Sequence, residues 1–86
     1  MLCVLWHPQA KKELLRLPKA IRLKVLDTTA ELETLSHPLQ HRNILQLSGR
    51  GRKDFRLRVG SYRVKCTLRN AHDLLITHVQ HRQAGY

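Results

Sequence analysis

Acidic residues, aromatic residues and long apolar runs are all scarce in this chain. Six Asp and Glu stand against sixteen Lys and Arg, for a net charge of +10 with the histidines neutral. Such an imbalance says little about fold. It points to a polyanionic partner, because basic surface binds phosphate through charge and counterion release. Aromatic side chains are limited to Trp6, Phe55, Tyr62 and Tyr86, so a core must come mainly from Leu, Val and Ile. The apolar opening, residues 1–6, is too short for a membrane span. With no basic stretch before it, it does not read as a signal peptide. Cys3 and Cys66 lie far apart in sequence and form no metal-type pair. Both fall in apolar runs, which predicts two buried free thiols and a reducing cytoplasm.

The 86 residues suffice for one domain with a modest core, with no room for a separate cofactor domain. The apolar share of 42% argues against wholesale disorder. Residues 2–6 read as a strand buried on both faces. His7-Pro8 opens a helix in which Ala10, Leu14 and Leu17 share a face, and Pro18 closes it. A second helix is expected over residues 19–35. Ile21, Val25, Thr28, Leu32 and Leu35 form its stripe, widened by Leu23, Leu26 and Ala30. Ile44, Leu45 and Leu47 are compatible with a short strand, and residues 48–53 read as a loop. Strands follow at 55–59, 62–68 and 74–81. The fold class is therefore α+β, in the order β-α-α-β-β-β with one further short strand. A helical hairpin would cover one face of a mostly antiparallel sheet of four to five strands.

The stretch 55–68 carries the strongest signal. Side chains alternate across a strand. Phe55, Leu57 and Val59 point one way, and Arg56 and Arg58 the other. A two-residue turn at Gly60-Ser61 sets Arg58 against Arg63 and Arg56 against Lys65. Like charges directly opposite are destabilising. Over residues 42–69 there are nine cations and one acid, Asp54, whereas residues 7–35 carry six cations and four acids. The pattern reads as a phosphate platform, since guanidinium forks match phosphate oxygens. Its rival is a solvated sheet face kept basic to block edge aggregation. A four-residue second loop would put Leu75, Thr77 and Val79 on the core face. His78 would then lie opposite Lys65 and Gln80 opposite Arg63, with Arg82 on the cationic side. A loop one residue longer or shorter flips that parity.

The remaining signals are weaker. Arg52 and Lys53, in the loop Arg50-Gly51-Arg52-Lys53, are candidates for tracking an RNA backbone. Lys11, Lys12, Arg16, Lys19 and Arg22 fit either a second RNA-facing surface or a solvated helix face. His7 and His72 read as cap and turn residues, and Trp6, Phe55 and Tyr62 as core. The pairs His37/His41 and His78/His81 lack a carboxylate or cysteine to complete a site, so no metal is expected.

The run Phe55-Arg-Leu-Arg-Val-Gly-Ser-Tyr-Arg-Val resembles the central signature of RelE-type toxins, within the RelE/ParE toxin-antitoxin superfamily. The ending His-Val-Gln-His-Arg-Gln-Ala-Gly-Tyr86 is similar to that family's closing motif, although Ala84-Gly85 replaces a bulkier pair. The Leu17-Pro18-Lys19 helix break also matches. The resemblance implies one RelE-like domain over residues 1–86 in the bacterial cytoplasm. It implies a metal-free, cofactor-free endoribonuclease that cuts mRNA in the ribosomal A site. The 2′-hydroxyl would attack the adjacent phosphate, and an antitoxin protein would neutralise the toxin. Arg63 matches the arginine on the scissile phosphate, and Arg56 and Arg58 match the basic pair before it. Arg82 matches a group that protonates or stabilises the leaving oxygen. Tyr86 matches the general base, with His81 or His78 as alternative acids. The rival functions are a gyrase inhibitor of the related ParE type, and a nucleic-acid-binding relative without activity.

Overall fold

A computed structural model describes residues 1–47 and 53–82. The elements run β1 (Cys3–Trp6), α1 (Pro8–Leu15), α2 (Lys19–Leu32), a 3-10 turn (Pro38–Gln40), β2 (Ile44–Gln46), β3 (Asp54–Val59), β4 (Tyr62–Leu68) and β5 (Asp73–His81). The strands form one sheet in the order β1-β5-β4-β3-β2. All neighbours are antiparallel except β1 and β5. This is the expected α+β architecture with five strands. No helix among the described residues is long and apolar enough to cross a membrane.

The core lies between the helices and one face of the sheet. Ala10, Leu14, Val25 and Leu32 meet Phe55, Leu57, Val59, Val64, Cys66, Leu74, Ile76 and Val79, all buried. The His7 ring caps α1 by accepting the Gln9 N–H at 3.1 Å, and Pro8 fills the first helical turn, where no N–H is needed. The β3–β4 hairpin pairs as its alternation requires: Val59 with Tyr62, Arg58 with Arg63, Leu57 with Val64 and Arg56 with Lys65. Gly60 supplies the left-handed corner, at φ 58°.

Four expectations are corrected. β1 is an edge strand, not one buried on both faces, and Cys3 on it is exposed. Cys66 is buried as expected, which pushes its thiol up to about 12, with Asp54 adding to the effect. Helix α2 stops at Leu32, because Glu33, Thr34 and Leu35 bond back three residues and tighten the last turn. Leu23, Leu26 and Ala30 do not widen its buried stripe; they are exposed, and Val25, Thr29 and Leu32 carry the contact. Lastly, Leu74 and Ile76, not Leu75 and Thr77, join Val79 in the core. Leu68 pairs with Leu74 across five connecting residues, which reverses the parity expected for four. A bulge then restores it: Cys66 faces Ile76 while Lys65 faces His78, leaving Thr77 extra.

Candidate nucleic-acid interface

The sheet face away from the core collects the cations. Arg56 and Arg58 rise from β3, and Arg63 and Lys65 from β4, in the two like-charge pairs. The bulge in β5 leaves His78 opposite Lys65 and Gln80 opposite Arg63, so both join this face. An open cleft of about 320 Å³ lies here, lined by Arg42, Asn43, Ile44, Leu45, Arg56, Arg58 and Arg63. Four guanidinium groups around one cleft make a strongly anion-attracting surface.

Short connections bring Arg42 into that cleft. The His37 ring caps the 3-10 turn through the Leu39 N–H at 3.1 Å, and Gln40 returns its side-chain oxygen to the His37 N–H, also at 3.1 Å. The His41 ring then accepts the Asn43 N–H at 3.1 Å and stands 3.7 Å from the Glu31 carboxylate on α2. The Arg58 N–H donates to the Asn43 carbonyl at 3.0 Å, stitching this corner to β3. Arg42 therefore borders Arg56 and Arg58 although it is distant from them in sequence. Sequence reasoning counted its charge without placing it at the site, because no local pattern links residue 42 to the hairpin.

The other candidates fall in different places. Lys53 is exposed just before β3, and its carbonyl accepts the Leu68 N–H at 2.8 Å. It sits five strand positions from Arg58, or about 16 Å along the hairpin. The Arg82 N–H bonds to the Ser61 carbonyl at 2.9 Å, tying that residue to the turn end of the hairpin, near Arg58 and Arg63. His81 pairs with Tyr62, and their rings meet edge-on at 5.1 Å. Alternation from Val79 sends His81 toward the helix side, so it is not brought together with the arginines. Arg52 and Tyr86 lie outside the described residues.

The mixed sheet, the helical hairpin on one face and the cationic cleft on the other define a toxin of the RelE/ParE superfamily. The chain belongs to the ParE toxin family of type II toxin-antitoxin systems, whose profile matches residues 4–86. Solved structures agree on the fold. A chain of the RelB-RelE antitoxin-toxin complex from Methanococcus jannaschii superposes with a TM-score of 0.79 at 23% identity, over 95% of this chain and 94% of that one. A chain of the archaeal RelE-RelB complex from Pyrococcus horikoshii gives 0.76 at 28% identity, over 94% of each. One from the RelBE2 toxin-antitoxin complex of Mycobacterium tuberculosis gives 0.75 at 24%, over 94% of this chain and 98% of that one. No curated protein matches the chain. The family profile thus bears the ParE name, and these structures the RelE name.

Proposed function

We propose that this toxin is a metal-independent endoribonuclease that cuts mRNA in the ribosomal A site, in the cytoplasm, and that a cognate antitoxin protein neutralises it. The observation that carries the reading is the cleft floored by Arg56, Arg58 and Arg63 and flanked by Arg42. The two like-charge cross-strand pairs stand on β3 and β4, inside the sheet, so they guard no free edge, whereas a phosphate-binding face uses them.

In this reading Arg63 holds the scissile phosphate, and Arg56, Arg58 and Lys65 hold its neighbours. As the 2′-oxygen attacks, the phosphorus acquires extra negative charge, and fixed guanidinium groups stabilise it. Arg82, tied to the Ser61 carbonyl, meets the leaving 5′-oxygen as a charge stabiliser. Arg52 and Lys53 extend the contact along the RNA backbone, and rRNA and mRNA supply the anionic partner. The family resemblance gives the proton-accepting role to Tyr86, while His81, turned to the helix side against Tyr62, is set aside as the acid. The antitoxin is supported by the structural relatives, two of which are RelE complexes with RelB.

Purified toxin added to a translating extract should cut message only when ribosomes are present. Arg63→Ala should lower cutting by about 100-fold or more, with an unchanged thermal melt. Normal cutting by that variant would remove Arg63 from the site. One finding favours a second reading: the matching family is that of ParE toxins. Inhibition of gyrase supercoiling by the pure protein, with message left intact, would decide for it.

A further inference from the structure

The first helix reaches the free edge of β5. β1 pairs with β5 only from Asp73 to Ile76, and beyond that point α1 takes over the edge. The Val79 N–H donates to Glu13 Oε1 at 2.8 Å. The same Oε1 stands 3.5 Å from His78 Nδ1, and the Glu13 side chain is only 18% exposed. Gln9 Nε2 approaches the other carboxylate oxygen at 3.5 Å.

The histidine is oriented by its surroundings. Its Nδ1 is shut off from solvent and makes no hydrogen bond, yet the side chain as a whole is 43% exposed. The exposed part of the ring therefore lies away from Nδ1, on the side that carries Nε2. The pairing with Lys65 places it on the cationic face. The bulge is responsible. Ile76 points inward, and unbroken alternation would send residue 78 inward as well. Bulges re-aim side chains in this way and are frequent beside active sites. Capping a strand edge accounts for the Glu13–Val79 bond. It does not account for an imidazole turned with one nitrogen to that carboxylate while the residue stands beside Lys65 on the cationic face.

We propose that His78, in place of Tyr86, is the general base beside the arginine cleft and that Glu13 is its positioning residue. The inference rests on the nuclease reading above. A carboxylate facing Nδ1 favours the proton on that nitrogen and leaves Nε2 with a bare lone pair. A contact of 3.5 Å needs to close by only a few tenths of an ångström, as catalytic hydrogen bonds commonly do once substrate binds. In the step, Nε2 takes the 2′-hydroxyl proton and the 2′-oxygen bonds to phosphorus. The P–O5′ bond breaks, its electron pair stays on the 5′-oxygen, and water protonates that oxygen. The groups facing the ring are Glu13 from α1 and Lys65 from β4.

The test combines message cutting in a translating extract with nitrogen-15 NMR of the imidazole. His78→Ala should lose about 100-fold or more of the cutting rate and recover part of it in added imidazole. Glu13→Gln keeps an oxygen for the Val79 N–H. It should stay folded, lose about tenfold in rate, and shift His78 away from the Nδ1–H tautomer of the wild type. Wild-type cutting by His78→Ala, or an Nε2–H tautomer in the unmutated protein, overturns the proposal. So does loss of cutting in Tyr86→Phe with none in His78→Ala. If the unmutated toxin leaves message intact, the nuclease reading and this role fall together. If it cuts, depends on Arg63 and ignores His78, only this role falls.

Discussion

The two hairpins that share β4 are built differently. Between β3 and β4 a two-residue turn with a left-handed glycine carries an unbroken ladder from Val59/Tyr62 to Asp54/Thr67. Between β4 and β5 a longer connection shifts the parity, and the bulge at Thr77 shifts it back. The first hairpin is a rigid plate that sets the spacing of four cations. The second gives up one regular pairing and gains control over where a single imidazole points. A platform for phosphates needs regularity, and a proton-transfer group needs aim.

The plate is easiest to break from beneath. Phe55 is buried under it, opposite Cys66 and edge-on to His37 at 5.8 Å. Phe55→Ala should cost about 3–5 kcal/mol in chemical denaturation, a large share of a small domain's stability. A destabilisation below 1 kcal/mol would show that the helix side does not hold the plate flat. The bulge offers a sharper contrast. Deleting Thr77 leaves Ile76 inward, His78 outward and Val79 inward, and turns the second hairpin into a ladder like the first. The melt should stay cooperative and cutting should persist, because His78 keeps its outward face and its partner Lys65. Loss of cutting with an intact melt would show that the bulge sets more than the face on which the imidazole stands.

Smaller effects test the turn and the shared strand. Gly60→Val should destabilise by about 1–2 kcal/mol, because a Cβ is unfavourable at φ 58°. Ser61→Ala next to it should be nearly neutral in the same melt. At β4, burial of Cys66 raises its thiol from 9.0 to about 12, so the unfolded chain loses that proton first. The stabilising contribution is complete below about pH 9 and fades as pH rises toward 12. Alkylation at pH 8 should modify Cys3 rapidly and Cys66 only on unfolding, as read by mass spectrometry. Equal labelling would place Cys66 outside the core.

The first hairpin was legible because alternation and a short glycine turn leave one register. Arg56, Arg58, Arg63 and Lys65 could be set on one face from their positions alone. The second was not, since two compensating irregularities cancel. His78 and Gln80 came out opposite their expected partners, while Leu75 and Thr77 exchanged places with Leu74 and Ile76. Cys3 misled because an apolar run reads alike in a central strand and at an edge. Leu23 and Leu26 misled because helical spacing marks candidates for burial without fixing the width of the buried stripe. Arg42 and Glu13 were hidden for another reason. Each joins the candidate site through a backbone bond or an edge contact between distant segments, and no local pattern records such a contact.

β1 has a single neighbour in the sheet, and that neighbour is β5. Cys3 pairs with Asp73, so almost all of the described chain lies between the two partners. The entropy of closing so long a loop grows only logarithmically and costs stability little, but such distant pairing slows folding. During synthesis the first strand and both helices emerge with no β5 to pair with or pack on. β3 and β4 can cover part of the helices' apolar surface, but the part that packs on β5 stays open until that strand arrives. The strands that carry the cleft can pair early, and β1 joins the sheet only when β5 is in place.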